Sequence, residues 1–368
     1  TLVCGFGVEK IRRGNSPFYN IVGASDLWRF ESDEPAVSRE KQRCRKRRRN
    51  NFRKTEFHEL VGRITITVVG YPLEVVKLLI QIGHEPIPPK PTRTFLGKPA
   101  LALPGALQYM KHIKKTDGFF GLYRGLSAKL CSNFIAGAVY TTVIEQLPVT
   151  RQDRHSNSSE NDNNEQNVSA FLLETAEDTV ARCVSIIASH PFHVITIRKV
   201  AQFVGREEKY VTIHGSFIEI YKEEGIKGFF VGLIPRIIGE IFTIWIAHTV
   251  SFILSSYITE SKFSELFQQS INSYIKASVS FIASSLMYPF NVVGNVLAVN
   301  NCGLAAGIPP NMPIYANWTD CWSHLSAIGQ LKRGSSILWR YYQGPYMLDR
   351  NGNPAFLRSA GPLRPAAD

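Results

Sequence analysis

Three prolines stand in matching surroundings in this chain, each inside a long apolar stretch: Tyr71-Pro72-Leu73-Glu74, His190-Pro191-Phe192-His193 and Tyr288-Pro289-Phe290-Asn291. Each reads ring, proline, apolar, polar. A second signature follows each one: Asp117-Gly118 leading to Leu122-Tyr123-Arg124-Gly125, Glu224-Gly225 leading to Phe229-Phe230-Val231-Gly232, and Arg333-Gly334 leading to Leu338-Trp339-Arg340. Two motifs in the same order, three times over, define an internal repeat, and a repeat decides the fold where one exists. The unit reads as a kinked membrane helix, a connection carrying a short amphipathic helix (107–115 and 217–224 in the first two repeats), and a second membrane helix. Proline kinks a helix by removing a backbone hydrogen bond, a defect that membrane bundles tolerate when neighbours repair it.

Five windows have the length of about 20 apolar residues that a bilayer core requires: 61–83, 126–147, 179–203, 233–258 and 274–299. Each holds a few charged or amide groups, which inside a membrane face other helices or a wet cavity. The pattern is that of a polytopic bundle, the alternative being core helices of a large soluble α protein. Apolar residues make up 44% and charged residues 20% of the chain, and they gather in separate runs, unlike those of an ordinary soluble enzyme. Residues 39–54 hold ten bases and one acid, so they carry nine of the twelve net positive charges. After Arg340 the chain is rich in Pro and Gly, with no room for a sixth span.

These repeats resemble the mitochondrial carrier family, whose repeat reads Pro-x-acid-x-x-base-x-base, then acid-Gly, then aromatic-base-Gly. The likeness runs from residue 57 to about residue 340. The stretches His190-Pro191-Phe192-His193-Val194-Ile195-Thr196, Glu223-Glu224-Gly225-Ile226 and Gly232-Leu233-Ile234-Pro235-Arg236 look most like the divergent branch of mitochondrial carrier homologs. The resemblance implies an all-α membrane protein, a carrier-type helical bundle of three pseudo-repeats with about five surviving transmembrane helices and the sixth missing. It implies a multi-pass protein of the mitochondrial outer membrane that inserts α-helical or tail-anchored clients and docks pro-apoptotic Bcl-2-type proteins. The organisation is then a basic arm at 1–56, repeat one at 57–150, a polar Asn- and Ser-rich loop at 151–167, repeat two at 168–260, a degenerate repeat three at 261–340 and a tail at 341–368.

Solute carriers of this family close one side of their pore with acid and base pairs from the kinked helices. Two residues after each proline stand Glu74, His193 and Asn291; five after, Lys77, Thr196 and Gly294; seven after, Leu79, Arg198 and Val296. Such a latch has lost most of its members. Glu74 and Lys77, three apart on one helix, are expected to pair with each other. Thirteen and nine residues before each proline stand Glu59 with Arg63, Asp178 with Arg182, and Lys276 with Ser280, two of them acid-to-arginine pairs in the favourable helix orientation. Arg63, Glu74, Lys77, Arg182, His193, Arg198, Lys276, Asn291 and Asn295 are therefore the candidates to line a polar groove, with Pro72, Pro191 and Pro289 as the kinks. Self-satisfied relics of a carrier, or charges reaching the interface, remain the plainer readings.

Nothing resembles an enzyme site: the chain holds no nucleophile elbow, P-loop lysine or HExxH, and no cofactor is expected. No metal is expected either, since His190 and His193 lack further ligands near them in sequence. The run Arg43-Cys44-Arg45-Lys46-Arg47-Arg48-Arg49 lacks interleaved aromatics to stack bases, and it stands just before the first span. It reads as a surface for anionic headgroups of the bilayer, with no nucleic acid partner expected. Three function classes stay open: a helix-accommodating insertase or receptor, a carrier exchanging small metabolites, and a non-transporting membrane scaffold.

Overall fold

The computed structural model describes residues 61–93, 99–147, 164–259, 265–342, 346–348 and 354–356. The chain divides into two compact units, Thr1–Gly62 and Arg63–Asp368, and nearly all described residues belong to the second. The basic arm and most of the 151–167 loop lie outside the described residues.

In chain order the helices are α1 (Val61–Gln81), α2 (Ala106–Gly121), α3 (Leu126–Gln146), α4 (Asn164–Gly205), α5 (Ile213–Glu224), α6 (Leu233–Thr259), α7 (Glu265–Leu286), α8 (Tyr288–Val299) and α9 (Trp318–Ala327). Every expected span is helical. α1, α4 and α6 are long and apolar enough to cross a membrane, and α7 with α8 passes the same test as one bent pair. α3 has the length, at 21 residues, but Lys129, Asn133, Glu145 and Gln146 dilute its apolar character. α4 starts at Asn164, inside the stretch expected to be loop, and runs for 42 residues through Pro191.

The three prolines act differently. Pro72 and Pro191 sit within continuous helices, whereas Pro289 occupies the first turn of α8, where its missing N–H has no partner to lose. There the helix breaks outright, and α7 and α8 meet at 53°.

The expected helical membrane bundle carries two small sheets beside its helices. The connection after α1 is rich in proline (Pro86, Pro88, Pro89, Pro91), which disfavours helix and favours extended backbone. Here β1 (Lys90–Arg93) and β2 (Pro99–Leu103) pair antiparallel, and β3 (Arg340–Tyr341) joins the other edge of β2. Two further short strands, β4 (Tyr346–Leu348) and β5 (Pro354–Phe356), pair with each other. The described residues beyond α9 thus form turns and short strands.

The connecting helices end as their glycines dictate. Thr212 caps α5, its side chain accepting from the Gly215 N–H at 3.0 Å, and Gly225 (φ +65°) terminates it. In repeat three the corresponding helix, α9, opens with a capping box of Asn317 and Asp320 and is followed by Gly329 at φ +67°. Gly329 therefore takes the place of Gly118 and Gly225, a position assigned from the sequence to Gly334. That assignment is corrected: Gly334 corresponds to Gly125 and Gly232, because an irregular turn replaces the second half of the motif.

The apolar core lies at the kink end. Tyr71, Val75, Val76, Leu79 and Ile80 of α1, Val194, Ile195 and Ile197 of α4, and Val292, Val293 and Val296 of α8 are buried together with Tyr109, Ile113 and Ile220 of the connecting helices. The halves before the kinks are packed differently.

Candidate polar groove

At the kink end three equivalent contacts close the bundle. The ring before each proline bonds the carbonyl that precedes a left-handed glycine. Tyr71 Oη donates to the Arg124 carbonyl at 2.8 Å, His190 Nε2 to the Val231 carbonyl at 3.1 Å, and Tyr288 Oη to the Arg333 carbonyl at 3.1 Å. A carbonyl only accepts, so His190 is protonated at Nε2, and its Nδ1 accepts from Arg236 at 3.3 Å. Gly125, Gly232 and Gly334 then take φ of +88°, +79° and +78°. Each abuts the next kinked helix in the ring: Gly125 the backbone of Thr196, Gly232 the carbonyl of Gly294, and Gly334 the side chains of Ile80 and Gln81.

Gln81, a residue that the motif comparison passed over, ties this end together. It is buried, donates to Tyr288 Oη at 2.8 Å and accepts from Asn295 Nδ2 at 2.7 Å, while Arg333 Nε donates to its carbonyl. Its only sequence signal was an amide at the end of an apolar run. Closure here runs through the Gln81 hydrogen bonds, backbone contact at the glycines and one ion pair between repeats, Arg340 of repeat three with Glu85 of repeat one.

The candidate residues are placed as follows. Glu74 pairs with Lys129 of α3, within its own repeat, and not with Lys77 as the spacing suggested; the turn at Gly125 brings Lys129 onto the facing helix. Lys77 instead lies 5.0 Å from the centre of the Tyr288 ring. His193 stands among Arg236, Lys129 and His190, with Asn295 in hydrogen-bonding reach. Asn291 is exposed at the position equivalent to Glu74 and His193. Arg198 lies apart from these: its side chain is wholly buried, bidentate to Glu224 at 2.6 and 2.9 Å and donating to the Ala298 carbonyl at 2.9 Å. It fastens the connecting helix α5 to α4 and α8.

The far halves carry the other polar groups. Asp178 accepts from Tyr140 of α3 at 2.6 Å and faces His248 of α6 at 3.4 Å. Arg182 faces Glu240 at 3.5 Å and lies over the Tyr140 ring at 5.1 Å. The expected Asp178–Arg182 pair is thus replaced by contacts to neighbouring helices, which present their groups at the same depth. Arg63 and Lys276 are exposed, and Glu59 lies outside the described residues.

Two walls stand bare. None of residues 61–70 is buried, Ile66 and Val69 being 76% and 73% exposed, and in 273–286 only Val279 and Ala283 are buried, with Tyr274 and Phe281 at 75% and 74%. Their other faces are packed, α7 against α6, just as α3 packs on α4 and α4 on α6. Apolar exposure this extensive is what a lipid surface receives. Among the described residues no group of three or more His, Cys, Asp or Glu could hold a metal ion, and both ring nitrogens of His190 are already engaged.

Comparison with known proteins agrees with this geometry. The family model described as mitochondrial carrier protein matches residues 60–154 and 178–261, which are the first two repeats. Mitochondrial carrier homolog 2 of Mus musculus is 40% identical over 285 residues, 75% of this chain and 90% of that protein. Mitochondrial carrier homolog 1 of Mus musculus is 39% identical over 290 residues, 75% of this chain and 74% of its own. Mitochondrial thiamine diphosphate carrier 1 of Zea mays is 27% identical over 179 residues, 48% of this chain and 50% of its own.

Proposed function

The chain belongs to the mitochondrial carrier family, in its carrier-homolog branch, and is a mitochondrial membrane protein; from this premise we propose that it is an insertase of the outer membrane. It passes α-helical and tail-anchored proteins between water and lipid through a groove open to one side. The observation that carries the reading is the contrast between the two ends of the bundle. The kink end is sealed by three glycine contacts and the Gln81 network, while none of residues 61–70 of α1 is buried and, in residues 273–286 of α7, only Val279 and Ala283 are. Lys276 on α7 and Asn291 on α8 are exposed and offer polar groups where a bilayer otherwise supplies none. A charge at mid-membrane costs about 3 kcal/mol on insertion scales, and a wet, polar-lined path lowers that barrier without ATP or a covalent step. Docking of pro-apoptotic Bcl-2-type proteins on the same open side belongs to this reading.

The test is insertion of a tail-anchored client into vesicles holding the purified protein. Lys276→Leu with Asn291→Leu, at matched protein levels, removes two exposed polar groups without touching the Gln81 network. Slower insertion is the expected result. Unchanged insertion by the doubly substituted protein would favour a scaffold.

A further inference from the structure

The connection that leaves the kink end after α1 is held extended by its own sequence. From Glu85 to Pro91 it reads Glu-Pro-Ile-Pro-Pro-Lys-Pro, so every residue either is a proline or precedes one. The proline ring fixes φ, and the residue before it is driven out of the helical region, which sets the segment to a polyproline-like conformation before anything binds it. Among the described residues no hydrogen bond reaches the carbonyls of residues 86–89.

β1 lies at the outer edge of its sheet, whose order is β1-β2-β3, and pairs with β2 from Lys90 opposite Ala102 to Arg93 opposite Pro99. Pro91 has no N–H and so cannot exchange hydrogen bonds with Leu101. Lys90 and Thr92 therefore carry the ladder, and Pro91 and Arg93 turn their backbone groups to the free side. At Pro91 that side offers an acceptor and no donor. An added strand needs both, so the edge is blunted against β-pairing, whereas a groove whose aromatic side chains donate N–H or O–H to the segment's carbonyls fits it.

The side chains narrow the partner further. Two X-Pro pairs, Ile87-Pro88 and Lys90-Pro91, stand three residues apart, one turn of a polyproline helix, and Arg93 follows two residues later. Pro88, Lys90, Pro91 and Arg93 are all exposed, and neither Lys90 nor Arg93 has an acidic partner among the described residues. We propose that residues 87–93 are a docking segment for a protein of SH3 type, whose aromatic-lined groove takes the two X-Pro pairs and whose carboxylate at one end takes Arg93. The segment enters already extended, so little backbone has to be ordered on binding. It lies beyond the end of α1 at Gln81, whereas the bare walls belong to the helix halves before the kinks; the proposal stands independently of the insertase reading.

The experiment is biolayer interferometry of the full chain in lipid nanodiscs against a panel of purified SH3 domains that select Pro-x-x-Pro-x-Arg peptides, with purified WW domains alongside. At least one SH3 domain should bind saturably. Arg93→Glu should weaken that binding about tenfold or more, the factor that a hydrogen bond to a charged group carries, and Pro88→Ala with Pro91→Ala should abolish it. Lys115→Glu, which reverses an exposed base of α2, should leave it unchanged. Arg93 being exposed, an unaltered Tm in Arg93→Glu separates a lost contact from a lost fold. The proposal is overturned if no SH3 domain of the panel binds, if Arg93→Glu leaves binding intact, or if Lys115→Glu weakens it equally; capture by WW domains alone would overturn the acidic groove. Insertion of a tail-anchored client by the doubly proline-substituted protein should match that of the wild type, so the docking segment and the polar groove stand or fail separately.

Discussion

The glycine seal makes a prediction with two sources of cost that the structure separates. Gly225 and Gly232 both hold left-handed backbone, at φ +65° and +79°. Around Gly225 a Cβ would meet nothing within 4 Å, whereas on Gly232 it would overlap the carbonyl oxygen of Gly294, a backbone atom that cannot swing aside. Alanine at Gly225 therefore costs only conformational strain, about 1–2 kcal/mol. Alanine at Gly232 costs the same strain plus displacement of α8, about 1–3 kcal/mol by analogy with overpacked cores, hence roughly 2–5 kcal/mol in all. Gly125, whose Cβ would lie 2.9 Å from Tyr71 Oη and 3.2 Å from the Thr196 carbonyl, falls between. Thermal unfolding of each variant in one detergent reads the order directly, since each kcal/mol shifts Tm by roughly 1–2 °C when the unfolding entropy is scaled to a chain of this length. Equal Tm shifts for Gly225→Ala and Gly232→Ala would refute the inference that the repeats touch backbone to backbone at these points.

Three further outcomes follow from the same geometry. Arg198→Met should destabilise the protein by about 3–5 kcal/mol by leaving Glu224 without its partner, and Arg198→Met with Glu224→Met should cost clearly less than the two single changes together; denaturant unfolding of the three variants checks this. His84, outside the spans, is held down to about 4 by burial first and by neighbouring His112 second, against an ordinary value of ~6.5. Below the ordinary value the unfolded chain takes a proton that the folded chain refuses, so stability should fall as pH drops from about 6.5 to about 4 and then level off. His84→Phe, facing Phe203 and Tyr109 edge-on as the imidazole does, should remove that part of the slope in a Tm series. Finally, with Asn291, Gly294 and Thr196 at latch positions and Glu74 satisfied inside its own repeat, purified protein in liposomes should show no saturable counter-exchange of nucleotides or carboxylates; exchange abolished by Lys77→Ala would contradict this.

The division between what the chain spells out and what folding decides follows the range of the forces. Proline's missing donor, glycine's freedom at positive φ and twenty-residue apolar runs act locally, so the sequence by itself determined the repeated motifs, the helix break at Pro289 and the helices that occupy the spans. The proline-rich connection after α1 gave no such pattern, because β1 and β2 are short strands that pair with each other and β3 joins them from the far end of the chain, as in the bond from the Tyr342 N–H to the Leu101 carbonyl. Partner choice was equally hidden. Spacing offered Lys77 to Glu74 and Arg182 to Asp178, but three residues on one helix name a candidate only, and a facing helix set by the turn at Gly125 supplied Lys129, as α3 and α6 supplied Tyr140 and His248. The register of repeat three was decided in the same way, since Gly329 and Gly334 differ in role only through where α9 stops. Which apolar faces stay exposed is likewise tertiary. Whether a helix face meets protein or lipid depends on which neighbours the packed kink end leaves room for, and apolar side chains on α1 and α7 read the same in either case.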